Sequence, residues 1–514
     1  MSLRGFEGVL TIDEADDVDT DTAMPVGAPD FIDAFLSKYR AKVADLVGHI
    51  VEIPAKCSPG RLAVQSANLL LRFCCSQKAT HLTRLLPPHQ VRTLAIFIDN
   101  TLMDGFCRLN GLEGLETWQR TAVTMPLSRG GCGFRPLTCA CEAAFVGSWV
   151  QCAPHVAAIT GEELKDDANP VFADVHQAIL DLRELYGVDA LQTLGISWHD
   201  VVTVGREKAQ RDLSQAVTGF LYKGWYQTVP PLDKTAVDSG AAGEQAPGAG
   251  DWLLACPRTK STSIPDAAYR CILRARLRCD LVPSGARCAY RIQRTQRICT
   301  KEVLGPADHA HACCDLKVNA RHNALRDKWC QLYRQAGYHA ATEQSVPELG
   351  PGQAVEADIR AEGGPAEPVR YADVVVTHPI QIRNGRLAGS GPGVAAAREE
   401  RGKLNDYRPR PGGRPVLLVP LAFESFGRWG KSAALELRRL ARRRSEMLDA
   451  ARSVDPTSVY RGCLRRWRQE ISVALQLSNF AIYSACAQGL RPMDFTHCPH
   501  DDAGALAGLI VEGA

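Results

Sequence analysis

No uninterrupted apolar stretch approaches the ~20 residues needed to cross a bilayer, and the best candidate is the short run from Pro415 to Phe423. The N-terminus has no cationic region followed by an apolar core, so no secretory signal is read there. Together these absences predict an intracellular chain, in the nucleus or cytoplasm, with no membrane partner. The 19 cysteines are then expected as reduced thiols, packed as small hydrophobes or recruited as metal ligands, not as disulfides. No tight C-x2-C pair occurs among them, which removes the strongest zinc signature.

At 514 residues the chain is too long for one core, and a prior of roughly one domain per 150 residues suggests about three. The composition, 45% hydrophobic and 23% charged, is that of an ordinary globular protein. The formal net charge of +3 hides an asymmetry. Asp13 to Asp21 is densely acidic, whereas Arg438 to Arg468 carries Arg442, Arg443, Arg444, Arg461, Arg465 and Arg466. A basic surface of that kind can lie on phosphate, and it can equally be the solvated face of a long helix.

Apolar residues recur at helical spacing between Pro29 and Ala158, as in Phe31, Phe35, Tyr39 and Val43. Pro230 to Gly250, rich in Gly, Ala and Pro, is the best linker. A helix is expected from Arg321 to about Ala336, then strands between Thr342 and Thr377, then an Arg-rich helical end. The predicted fold class is α+β, with a mainly helical N-terminal half and a C-terminal α/β core flanked by helices. The expected organisation is an acidic tail at 1–24, a helical region at 25–229, a linker at 230–250 and a Cys/His segment at 251–320. The α/β core follows at 321–430, basic helices at 431–490 and a tail at 491–514.

Val355 to Arg360 alternates, with Val355, Ala357 and Ile359 on one face and Glu356, Asp358 and Arg360 on the other. A second strand is expected over Val369 to Thr377, after a loop with two glycines and two prolines at 363–368. Centring that loop symmetrically sets Asp358 directly across from Asp373, roughly 5 Å apart at Cβ. Bare carboxylates at that distance repel unless a proton or a cation compensates them. A hard divalent ion, Mg²⁺ or Mn²⁺, suits such a pair; two solvent-exposed aspartates at strand ends would fit the spacing as well. Glu343 is a further candidate acid. Cys288, Cys299, His309 and Cys313 offer four donors suited to tetrahedral Zn²⁺, with His311 and Cys314 as competitors and buried free thiols as the alternative.

Glu356-Ala357-Asp358-Ile359, followed by Tyr371-Ala372-Asp373-Val374-Val375-Val376-Thr377-His378-Pro379, resembles the PD-(D/E)xK endonuclease signature of non-LTR retrotransposons with restriction-like endonucleases. In that family the lysine has moved to a following helix, near a tyrosine. Val375 occupies the ordinary lysine position here, and Lys403 and Tyr407 lie downstream. By resemblance, Asp358 and Asp373 would bind the Mg²⁺ or Mn²⁺, Lys403 would position water or neutralise the phosphate, and Tyr407 would support it. Ala357 replaces the family's proline, and Gly402 sits inside the helix carrying Lys403. Asp308-His309-Ala310-His311-Ala312-Cys313, followed by Arg321-His322-Asn323-Ala324-Leu325-Arg326-Asp327, resembles the zinc-knuckle passage that precedes the nuclease in these elements.

Leu69 to Phe73, His81 to Leu86, Pro126 to Arg135 and Ala144 to Trp149 are similar to the region after the palm in reverse transcriptases of the same elements. A palm would need a Tyr-x-Asp-Asp-type pair. Glu14-Ala15-Asp16-Asp17 lacks the aromatic and a preceding apolar strand, so polymerase activity is not expected. The thumb-like helical region could contact a backbone through Arg72, Lys78, Arg84 and Arg92. The resemblance implies a truncated, retroelement-derived, metal-dependent DNA endonuclease with DNA, or also RNA, as partner. The alternatives are a catalytically inactive nucleic-acid-binding remnant and a product with no selected role.

Overall fold

The computed structural model describes residues 29–57, 62–160, 172–242, 248–282, 285–288, 290, 297–303, 305–313, 318–350, 355–365, 367–380, 382–383, 386–387, 391–409, 411–452 and 455–486. The expected tails at 1–24 and 491–514, and Cys314, lie outside them. The fold is α+β with a helical N-terminal half. Two compact units divide the chain. The first takes the residues up to Lys56, Ala67–Leu109 and Phe134–Thr228; the second takes Cys57–Ser66, Asn110–Gly133 and everything from Val229. The expected single region at 25–229 is thus corrected, because two of its segments pack into the second unit.

The first unit is helical. Its opening helix, Pro29–Lys56, buries Phe35, Tyr39, Val43 and Val47, the stripe that four-residue spacing places on one face. Trp149, Phe172 and Trp198 meet edge to face, with ring centroids 5.7 and 5.3 Å apart. The helix Ala173–Tyr186 stops at Gly187, whose φ of +60° gives the left-handed C-cap that suits glycine.

In the second unit the described residues of the stretch read as a linker, 230–242 and 248–250, are ordered structure. Pro231–Gly240 forms helix α1, started by Pro231, whose missing N–H is not needed in a first turn. Gly248 has φ +108°, and a Cβ there would fall 2.1 Å from Trp429 Nε1, so this glycine serves close packing and not flexibility. Helix α2 spans Asp266–Arg276. Beyond it Arg278 adopts a left-handed φ of +59° and donates from Nε to Asp233 of α1 at 2.7 Å, and from Nη1 and Nη2 to the two oxygens of Asp308 at 2.7 and 2.6 Å. That fork is the strong geometry for a guanidinium on a carboxylate, and it offsets the strain of the backbone.

Helix α3 (Val318–Gln335) leads into strands β1 (His339–Ser345), β2 (Glu356–Glu362) and β3 (Arg370–Thr377). Helix α4 (Val394–Asp406) then crosses to strand β4 (Leu417–Glu424), and helices α5 (Lys431–Arg452) and α6 (Pro456–Cys486) follow. The sheet order is β1-β2-β3-β4, antiparallel up to β3 and parallel between β3 and β4. The Pro415–Phe423 run, apolar but too short for a membrane, is therefore mostly the parallel edge strand. Its Pro420 is tolerated because an edge strand has one unpaired side. Leu325, Trp329 and Tyr333 of α3 recur every fourth residue and are fully buried with Phe423, Trp429, Leu437 and Ile471 in one core. The stretches predicted as separate core and basic helices thus share that core. Arg443 of the basic run sits 4.3 Å above the Tyr338 ring and donates to Ala336 O at 2.9 Å. Arg442, Arg461 and Arg465 are exposed.

Removing the Arg278 fork leaves the shielded carboxylates of Asp233 and Asp308 without the guanidinium they share. Arg278→Ala is expected to lower stability by about 3–5 kcal/mol, read by denaturant unfolding; a loss below 1 kcal/mol would show that Asp233 and Asp308 are solvated without it.

Candidate acid site and metal centre

Strand β2 alternates in burial, with Ala357, Ile359 and Ala361 inside and Asp358 and Arg360 half-buried on the other face. The β2–β3 register pairs Ile359 with Ala372, Arg360 with Tyr371 and Ala361 with Arg370. Extending it by one step sets Asp358 across from Asp373, the placement that loop symmetry predicts. The backbone ladder does not continue there. Asp358 Oδ2 instead accepts the Val374 N–H at 2.6 Å, so a side chain takes over as acceptor where the strands separate.

Asp373 is buried. Lys403 Nζ lies 2.7 Å from its Oδ1, and the Tyr407 hydroxyl is 2.7 Å from its Oδ2. Both come from α4 and its C-cap, where positions four apart share a face. The helix runs unbroken through Gly402, with nothing near the space a Cβ would occupy. On the other carboxylate, Asp358 Oδ1 is 2.9 Å from His322 Nε2 of α3. Each of the four oxygens therefore has a protein donor, the two carboxyl groups are also within hydrogen-bond reach of each other, and a carboxylate oxygen retains a further lone pair. Of the residues singled out from sequence, Asp358, Asp373, Lys403 and Tyr407 converge; His322 was missed as a member, its only signal being its place in a passage read for another reason. Glu343 does not join them: it is exposed on β1 with φ +54° and pairs with Arg326.

The electrostatics differ between the two acids. Burial pushes Asp373 up, the Asp358 carboxylate adds to this, and Lys403 and Tyr407 only partly offset them. Burial also acts to raise Asp358, but the His322 contact and the Val374 N–H outweigh it and hold that carboxyl below the usual range.

The Cys/His segment folds its donors together. Cys288 N–H donates to Lys301 O at 2.8 Å and Cys299 N–H to Tyr290 O at 2.9 Å, so paired backbone bonds close the eleven-residue gap that made the spacing look loose. His309–Ala312 is a single helical turn, and Cys313 N–H donates to His309 O, bringing His309 and Cys313 to one side. The ligand atoms of Cys288, Cys299, His309 and Cys313 lie within 4.8 Å of one another. Cys288 Sγ and Cys313 Sγ are 3.8 Å apart, and Cys299 Sγ and His309 Nε2 are 3.4 Å apart. A zinc tetrahedron with Zn–S of ~2.3 Å and Zn–N of ~2.0 Å needs edges of about 3.8 and 3.5 Å. The cluster can therefore hold a metal ion such as zinc. Burial and Lys301 hold His309 below its ordinary pKa, which keeps the imidazole neutral as a ligand must be. His311 is not a competitor: its Nε2 meets Tyr483 OH at 2.8 Å and its Nδ1 meets Arg321 Nη1 at 2.9 Å.

The thumb-like contacts need correction. Arg72 is buried, 4.7 Å over the Phe134 ring, and Arg92 is tied to the fully buried Glu142. Arg72 is an internal packing group, whereas Arg92 is half-buried with its charge committed to an ion pair. Arg84 is exposed but donates to Gln210 at 2.7 Å, and Lys78 is half-buried. No helix among the described residues is long and apolar enough to cross a membrane. No family model matches the sequence, and no curated protein matches it significantly.

Two measurements test the centres. Elemental analysis is expected to find about one zinc per chain, lost in Cys313→Ala, with chelation lowering the melting temperature because the cluster sits inside a buried group with Ile482 and Tyr483; metal-free protein that melts unchanged would leave the thiols as packing. For Asp373, a raised pKa means its contribution to stability is complete below the ordinary carboxylate range and is lost as pH rises through the raised value. At neutral pH without divalent ions Asp373→Asn should therefore stabilise the fold by roughly 0.5–2 kcal/mol. Destabilisation by thermal unfolding at that pH would instead make the pair a structural ion pair.

Proposed function

We propose that the chain is a retroelement-derived, divalent-metal-dependent DNA endonuclease that hydrolyses phosphodiester bonds. The observation that carries the reading is the convergence on one carboxylate of Lys403 and Tyr407, side chains from a separate helix, beside a second acid on the neighbouring strand. The resemblance to the restriction-like endonucleases of non-LTR retrotransposons requires that set, and spacing alone does not dictate it.

Asp358 and Asp373 would hold Mg²⁺ or Mn²⁺ through their remaining lone pairs. Their donors fit that role, because the two carboxylates keep like charges close in a partly buried place. A divalent ion bound there supplies Lewis-acid polarisation of a phosphoryl oxygen and a lowered pKa for water. Lys403, 28% exposed at its side chain, brings a cation to the edge of the pair, where it can neutralise charge developing on phosphate. Tyr407 donates to Asp373 and fixes its rotamer. The Cys288, Cys299, His309 and Cys313 cluster would carry a structural zinc. The exposed Arg442, Arg461 and Arg465 offer a sequence-independent contact to backbone phosphates.

A second reading has its own support. Since each oxygen of the pair already has a donor, the cluster could be complete as an ion-pair network in a nucleic-acid-binding remnant without catalysis. Supercoiled plasmid with Mg²⁺ or Mn²⁺ separates the two. Nicking is expected, abolished in Asp358→Ala and Asp373→Ala, and reduced by about 10²–10³-fold in Lys403→Ala. Salt-sensitive DNA binding that survives both aspartate changes, with no nicking by the unchanged protein, would leave the binding remnant.

A further inference from the structure

His322 and the Val374 amide hold the two oxygens of Asp358, and the station of His322 is well defined. The residue before it, Arg321, is 1% exposed, with Nη1 at 2.9 Å from His311 Nδ1 and 3.1 Å from Asn479 Oδ1. Three residues after it, Leu325 is fully buried in the core beneath the sheet. One turn after it on the same face, Arg326 pairs with Glu343 of β1. The first part of α3 is thus pinned from the buried side and from the sheet, and the imidazole projects between these anchors with its side chain 32% exposed.

A carboxylate's terminal torsion is soft, with a broad two-fold profile. The Val374 N–H alone fixes one oxygen and leaves the plane of the group free to turn. A second donor on the other oxygen fixes the plane. Asp373 has such a pair of donors in Lys403 and Tyr407, both from α4; for Asp358 the pair is completed from α3.

We propose that His322 is the positioning residue of the acid pair: donating from Nε2 to Asp358 Oδ1, it fixes that carboxylate so that its remaining lone pairs stay available to a divalent cation shared with Asp373. The inference rests on reading the pair as a cation site. It assigns His322 to the support of a ligand and not to the ion itself, and it gives the site contributions from α3 as well as from β2, β3 and α4. Hydrogen-bonded partners of metal ligands of this kind typically alter metal affinity by about 10–100-fold when removed.

The test is Mn²⁺ binding to the full chain, followed by the loss of the free-ion electron paramagnetic resonance signal, in the unchanged protein and in Asp358→Ala, His322→Ala and His322→Gln. Zinc content and melting temperature are measured alongside. The expected result is a Mn²⁺ site that Asp358→Ala removes, that His322→Ala weakens about 10–100-fold, and that His322→Gln largely restores, since the amide N–H can reach the same oxygen. Unchanged affinity in His322→Ala would overturn this inference and leave the cation site standing. Equal weakening in Ala and Gln with unchanged melting would also overturn it, by making the imidazole itself a ligand. If the unchanged protein has no Mn²⁺ site that depends on Asp358, the proposed nuclease function falls and this inference falls with it.

Discussion

Two carboxylates meet across neighbouring strands, and the repulsion between them organises the region around them. Asp373 is buried enough that desolvation and its neighbour both favour the protonated form; Asp358 escapes that fate through His322 and a backbone amide. Three elements contribute donors: α3 supplies His322, α4 with its C-cap supplies Lys403 and Tyr407, and β3 supplies the Val374 N–H. The two acids would not meet, and Asp358 would lose His322 and the Val374 N–H, if β2 and β3 slipped by a single residue, because such a slip turns one acid to the opposite face. The register is held by the apolar faces of Ile359, Ala361, Ala372 and Val374, all buried in the central core.

The same unit carries the Cys/His cluster, and the path between the two centres is made of specific contacts. His309 and Cys313 flank a single turn that also presents His311, and His311 meets Arg321 at the start of α3. Asp308, next to His309, takes both arms of the Arg278 fork, and Arg278 also reaches Asp233 on α1. A stretch that looks like spacer sequence is therefore bound, through Arg278, by charge-assisted hydrogen bonds to the turn that bears two side chains of the Cys/His cluster. Burial makes such contacts consequential: removing one partner leaves the other desolvated.

Stability and proposed activity pull in opposite directions at the acid pair. Keeping both carboxylates ionised at neutral pH opposes folding in the absence of a cation, and a bound cation reverses the balance. Strained or destabilised groups of this kind are a common feature of functional sites, although structural ion-pair networks perturb carboxylates as well. Occupancy of both carboxylates by protein donors is what keeps the two readings of this site distinct and separable by the nicking experiment.

Local periodicity made much of this molecule legible. The four-residue spacing of Phe35, Tyr39 and Val43 marks a helix, the alternation from Val355 to Arg360 marks a strand, and the loop at 363–368 sets the register that brings Asp358 toward Asp373. These are short-range properties, decided by how side chains repeat along a helix or strand. What the sequence by itself determined was therefore the helices and strands of regular period, the facing of the two acids, and Lys403 and Tyr407 as candidate donors. The tertiary structure alone decided which charges are already engaged: Arg72, buried over Phe134, and Arg92, paired with the buried Glu142, read as free surface cations until the partners appear. It also decided that Asp233 pairs with Arg278 and Gly248 lies against Trp429, that Cys288 and Cys299 meet across paired backbone, and that His322 reaches Asp358. Each of these depends on contacts between residues far apart in the chain, and such contacts leave no period in the sequence from which to read them.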